Sequence, residues 1–105
     1  MNINNQIFTA PCLCQIEETR SAGVQEYNAL GQTVLDGGQL KRRITLEWHF
    51  SDIKDALHIR AALTGNFEEV TDTARGLEAV SCYAEGIGLN AAARSCTLRI
   101  VLKER

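Results

Sequence analysis

The sequence has few aromatic residues and almost no excess of charge. Its 105 residues include one tryptophan, two tyrosines and three phenylalanines, so a folded core must be mostly aliphatic. The formal net charge is −2. Proteins dedicated to nucleic acid usually have a basic excess, because neutralising phosphates supplies much of their affinity. The composition therefore predicts no direct nucleic-acid binding.

Long apolar segments are also missing. No apolar run approaches the roughly 18 residues that a membrane-spanning helix needs. The first residues lack a basic stretch followed by an apolar one, which is typical of a secretion signal. We therefore expect one domain, residues 1–105, with no membrane contact, made and kept in a reducing cytoplasm.

Four cysteines allow two interpretations. In a chain without a secretion signal disulfides are not expected, and free cysteine behaves as a small hydrophobic residue. Zinc sites usually use two C-x(2–4)-C hooks, whereas this sequence has a single C-x-C. Buried thiols are the favoured interpretation and no cofactor is expected. A thiol or zinc-binding module is the alternative, built on Cys12, Cys14, Cys82 and Cys96.

Within residues 40–50, polar and apolar side chains alternate strictly from Arg43 to Phe50. The apolar residues are Ile44, Leu46, Trp48 and Phe50, which predicts a β-strand with one buried face. A helix is predicted from about residue 52 to 63, with Ser51 or Asp52 as N-cap. Its predicted apolar stripe is Ile53, Ala56, Leu57, Ala61 and Leu63.

Further strands are predicted at 12–18, 33–36, 67–73, 77–85 and 95–103. Strand 33–36 is expected to form a hairpin with strand 40–50 through Gly37–Gly38, and Phe67 is expected to point inward. Residues 19–32 and 86–94 are predicted loops. The fold class is mainly β (α+β): an antiparallel sheet or small β-sandwich of six or seven strands with one helix packed on it. The predicted core is Ile44, Leu46, Trp48, Phe50, Leu57, Leu63, Leu98 and Ile100.

No residue pattern predicts catalysis. His49 and His58 are the general-base candidates near neutral pH, and both are interpreted as surface or boundary residues. The acidic pairs at 17–18 and 68–69 would point to opposite faces of a strand, so they are interpreted as solvated charges.

The predicted loops contain apolar residues, which suggests an interface. Such side chains fold back on their own domain or are covered by another subunit. The second interpretation predicts interface residues Val24, Tyr27, Leu30, Ile87 and Leu89, with Arg42 and Arg43 as charged complements.

Four features occur in an order typical of one family: Pro11, the Lys-Arg-x-Ile-x-Leu-x-Trp stretch at 41–48, Phe-x-x-Val-Thr at 67–71 and the terminus at 100–105. In these features the chain resembles the short tail-region structural proteins of siphoviruses and Gram-positive prophages. The resemblance implies a phage tail-tube-like fold and a virion protein without catalysis, made in the host bacterial cytoplasm. The implied partners are further copies in a homo-oligomeric ring, or other tail proteins. A monomeric adaptor that binds a host protein is another alternative.

Overall fold

The structure is a computed structural model that describes residues 1–20, 25–27, 33–35, 40–65 and 67–105. It contains nine strands, one α-helix and a short 3₁₀ turn at Thr73–Arg75. In chain order the elements are β1 Asn2–Ile3, β2 Gln6–Ile7, β3 Leu13–Arg20, β4 Gln25–Tyr27, β5 Thr33–Leu35, β6 Leu40–Phe50, α1 Ile53–Ala62, β7 Glu68–Asp72, β8 Leu77–Ala91 and β9 Cys96–Glu104.

Seven of the strands form one antiparallel sheet in the order β2-β1-β7-β8-β9-β6-β3. The helix α1 contacts β6, β8 and β9. The predicted fold class, mainly β with one helix packed on an antiparallel sheet, is confirmed. Within the described sheet the outermost strands are β2 and β3.

Strand β8 takes part in two ladders and contains a bulge. It pairs with β7 as far as Cys82 and with β9 from Cys82 onward. Ala84 lies opposite Leu102 and Gly86 opposite Val101, so Glu85 is an extra residue. A bulge of this kind changes which alternate residues face the core, and here the core-facing residues become Ile87 and Leu89. The predicted loop at 86–94 is therefore wrong as far as Ala91.

The predicted hairpin between residues 33–36 and 40–50 is also wrong. β5 pairs with β4, while β6 pairs with β3 and β9. The two residue numbers of each pair sum to 60 in both the β3–β6 and the β4–β5 ladders. The predicted turn at Gly37–Gly38 lies outside the described residues.

The helix α1 begins where the sequence predicts but buries a different face. Asp52 is the N-cap, and its Oδ1 accepts a 2.9 Å hydrogen bond from the backbone N–H of Lys54. The buried helix residues are Ala56 and Ile59, followed by Leu63 at the C-cap. Leu57, predicted in the core, is 41% exposed, and the predicted stripe residues Ile53 and Ala61 are exposed as well.

One cluster of aliphatic side chains around Trp48 forms the core. Trp48 is 1% exposed, and its Nε1–H donates to the carbonyl of Thr9 at 2.9 Å. Phe50 of the predicted core is only half-buried. The buried apolar residues are Ile3, Phe8, Ile44, Leu46, Trp48, Ala56, Ile59, Leu63, Val70, Leu77, Val80, Cys82, Cys96, Leu98, Ile100 and Leu102.

Strand β7 is turned the other way from the prediction, so that the face predicted to be exposed is the one that contacts the core. Phe67 is 59% exposed, whereas Glu68, Val70 and Asp72 are buried. The expectation that Phe67 points inward is wrong, and so is the interpretation of Glu68 as solvated charge.

Candidate interaction surface

The sheet has an outer face, opposite the core, that is polar and open. Along β6 the outward residues include Arg43, Thr45 and Glu47, and on β9 they include Arg99 and Lys103. A shallow groove of about 430 Å³ lies on this face. Its polar lining comes from Gln15 and Glu17 of β3, Arg43 and Thr45 of β6, Arg99 of β9 and Glu85 of β8.

Two arginines predicted as charged complements for another subunit have carboxylate partners within the chain. Arg43 forms a bidentate ion pair with Glu85, with Nε–Oε2 and Nη2–Oε1 distances of 3.1 Å. The bulge on β8 contributes Glu85 to this pair. Arg42 binds Glu104 through its backbone N–H at 3.1 Å and through Nε and Nη2 at 3.2 and 2.8 Å. These side-chain hydrogen bonds from Arg42 lower the pKa of Glu104.

The edges of the sheet expose backbone and aliphatic side chains together. In the described part of the chain β3 pairs only with β6, and β2 only with β1. On β3, Leu13 is 38% and Ile16 37% exposed, and Ile7 on β2 is 88% exposed. An open edge with apolar side chains is a template for pairing with another strand.

The structure does not gather the predicted interface residues into two loops. Ile87 and Leu89 lie in β8, opposite Ile100 and Leu98, and Leu89 packs against the core. Tyr27 lies in β4, while Val24 and Leu30 lie outside the described residues. A role of these residues in an interface stays a prediction.

The four cysteines are not brought together. Cys12 is exposed and Cys14 half-buried on β3, whereas Cys82 and Cys96 are buried. Cys96 pairs with Ala91, nine residues along β8 from Cys82, which corresponds to roughly 30 Å in a strand. Within the described residues no three side chains of histidine, cysteine, aspartate or glutamate cluster as metal ligands would. The arrangement gives no support to the zinc-module alternative.

The thiol of Cys82 is buried, and burial makes it difficult to deprotonate. Burial, followed by the charges of Glu68 and Glu104, raises its pKa to about 12. Its thiol donates to the backbone oxygen of Glu68 at 3.6 Å. Among the described residues the buried Oε2 of Glu68 has no hydrogen-bond partner. Sequence reasoning does not predict that this carboxylate is buried, because acidic residues are rarely buried and are therefore expected at the surface.

The two histidines are placed differently. His58 is exposed and its ring lies 5.2 Å from that of Phe8. His49 has Nδ1 3.0 Å from Oγ1 of Thr97 and Nε2 3.1 Å from Oε1 of Glu47. A hydroxyl, an imidazole and a carboxylate in contact are also typical of nucleophilic sites. Here the imidazole side chain is 60% exposed on an open strand face. The contact with Thr97 is a cross-strand pair and the contact with Glu47 joins residues two apart on β6, so both are surface contacts.

Comparison with known proteins finds no similar family model, curated protein or solved structure. No helix of the described residues is long and apolar enough to cross a membrane. The resemblance to phage tail proteins stays a prediction.

Proposed function

We propose that this chain is a structural protein of a phage or prophage tail that assembles by pairing its open sheet edges. The observation that supports this proposal is the presence of exposed aliphatic side chains on both outermost strands. Ile7 marks one edge, and Leu13 and Ile16 mark the other. The sequence resemblance favours the same role, and the protein acts without catalysis.

The two edges differ, and this difference favours a ring. β3 has eight residues and β2 has two, so pairing β3 of one copy with β2 of the next is a head-to-tail contact. Head-to-tail contacts repeat around a closed ring when the rotation closes. Burying an exposed aliphatic side chain contributes up to about 1.5–3 kcal/mol, and ladder hydrogen bonds supplement this.

Light scattering after size exclusion, over a range of concentrations, tests self-assembly. We expect a discrete multiple of the 11.6 kDa chain. Ile16→Lys on β3 and Ile7→Lys on β2 should each reduce the particle to a monomer. Leu57→Lys is the matched control, because Leu57 is similarly exposed but lies on α1, away from both edges.

Mixing the two edge variants tests the head-to-tail arrangement. Ile7→Lys keeps an intact β3 edge and Ile16→Lys keeps an intact β2 edge, so an equimolar mixture should form a dimer and nothing larger. A strictly monomeric native protein would contradict self-assembly. If Ile7→Lys still assembles while Ile16→Lys does not, β3 pairs with itself, and the ring is wrong.

A further inference from the structure

Three cationic side chains meet on the outer face where β6 and β9 lie side by side. Lys103 pairs across the sheet with Arg43 on one side and Tyr83 on the other. Lys41 lies two residues from Arg43 on β6, and Arg105 two residues beyond Lys103. The backbone N–H of Arg105 donates to the carbonyl of Ser81 at 3.0 Å, which keeps the chain end beside β8. Residues two apart in a strand share a face, so Lys41, Lys103 and Arg105 are neighbours.

Unlike Arg42 and Arg43, the three cations of this cluster have no carboxylate partner among the described residues. In the described part of the chain, no carboxylate lies within ion-pair distance of Lys41, Lys103 or Arg105. The nearby Glu104 is already held by three hydrogen bonds from Arg42. Like charges close together on a sheet destabilise it, so this cluster leaves room for a counter-anion from outside the chain.

The cations line a pocket with an additional donor. The pocket measures about 410 Å³ and is lined by Thr19, Lys41, Tyr83, Lys103, Glu104 and Arg105. The hydroxyl of Tyr83 can donate a hydrogen bond, whereas that of Thr19 already donates to the carbonyl of Lys41 at 3.5 Å. The guanidinium of Arg105 is positioned by aromatic rings, 5.4 Å from the centroid of Phe67 and 5.8 Å from that of Tyr83.

We propose that this pocket binds a small multivalent oxyanion, a phosphate or polycarboxylate compound. Charge-assisted hydrogen bonds from several converging cations are the recognition that such anions need. The protein as a whole is negative, with a net charge of −2, so the positive charge is a local property of this pocket. The inference stands independently of the proposed assembly, since the pocket lies within one copy of the chain.

Titration of the full chain with pyrophosphate, and separately with citrate, tests the site by the backbone amide shifts in NMR spectra. Sodium chloride at matched ionic strength controls for screening. We expect saturable shifts confined to the pocket residues, and the tighter of the two titrations identifies phosphate or carboxylate chemistry. Lys103→Ala and Lys41→Ala should each weaken binding about tenfold, which corresponds to about 1.4 kcal/mol.

Lys54→Ala is the matched control, because Lys54 is exposed on α1 and its removal changes the net charge equally. It should leave the affinity within about twofold, a change of less than ~0.5 kcal/mol. Shifts that increase linearly without saturation with both anions would overturn the proposal. An equal loss of affinity in Lys54→Ala would also overturn it, because binding would then follow net charge alone. Thermal unfolding of each variant distinguishes loss of the site from loss of the fold.

Discussion

The bulge in β8 predicts that deleting one residue from the middle of a long strand is tolerated. Glu85 is the extra residue between the pairs Ala84–Leu102 and Gly86–Val101. Its deletion makes the ladder continuous and leaves both flanking registers unchanged. The deletion also removes the ion pair with Arg43, in which the two side chains are 46% and 39% exposed. Ion pairs this exposed contribute about 0–1 kcal/mol, so we expect the free energy of unfolding to fall by about 1 kcal/mol or less.

Deleting Arg99 from β9 is the matched control. Arg99 is paired with Glu47 in the β6–β9 ladder, which has no bulge that could absorb a deletion, so its removal moves Leu98 and Cys96 to the opposite face. Leu98, which is buried, would leave the core and Thr97 would turn inward. Exposing a buried leucine and enclosing a hydroxyl together cost about 2–5 kcal/mol. That is a large fraction of the roughly 5–15 kcal/mol expected for a domain of this size.

Urea unfolding followed by the fluorescence of Trp48, the single tryptophan, measures both costs. The deletion of Glu85 should leave the free energy of unfolding within about 1 kcal/mol of the native value. The deletion of Arg99 should lower it several times more. Equal decreases in the two variants would refute the assignment of Glu85 as the bulged residue. So would a greater decrease on deleting Glu85.

Three further predictions concern single side chains. Trp48→Ala should lower the free energy of unfolding by about 3–5 kcal/mol, measured in urea, and a decrease below about 1 kcal/mol would contradict its central place in the core. Because hydrogen bonds from Arg42 lower the pKa of Glu104 in the folded state, this group stabilises the fold above its unfolded pKa. The stability difference between the native protein and Glu104→Gln should therefore shrink as pH falls through the lowered pKa; a difference independent of pH would exclude this linkage. Burial raises the pKa of Cys82 to about 12, so its contribution to stability should decline from about pH 9 towards 12. A thiol reagent at pH 8 should modify the exposed Cys12 rapidly and Cys82 only after unfolding, as mass spectrometry of peptides can determine.

Strict alternation makes parts of the fold predictable. Every second residue is apolar in β6 from Ile44 to Phe50 and in β9 from Cys96 to Leu102, and Ile44, Leu46, Leu98 and Ile100 are buried as expected. Both strands lie in the middle of the sheet with one face on the core, where the hydrophobic pattern alone determines the orientation.

The position of the helix is predictable from the sequence, but its buried face is not. Ile53, Leu57 and Ala61 are spaced by four residues and form a stripe as apolar as the one that contacts the sheet. Periodicity alone cannot distinguish between two apolar stripes. Contact with β6, β8 and β9 selects Ala56 and Ile59.

β7 and β8 show how tertiary contacts override a local pattern. In β7 the core-facing residues two positions before and two positions after Val70 are acidic. The polarity pattern therefore predicts that the opposite face of the strand is buried. Arg105 lies over the exposed ring of Phe67, and no feature of the local sequence indicates that contact. In β8 the bulge interrupts the alternation, so a continuous strand has the hydrophobic pattern of a strand followed by a loop.

The candidate interaction surface depends on strand order, which a single strand's pattern does not contain. The sequence predicts a strand at 12–18, and β3 is found at Leu13–Arg20. Whether such a strand is covered depends on which strand pairs with its other side. In the described sheet β9 pairs with the far side of β6 and no strand pairs with the outer side of β3, so Ile16 remains partly exposed. The edge that supports the assembly proposal is thus a result of strand order, which depends on long-range pairings such as that of β6 with β9, about fifty residues apart in the chain.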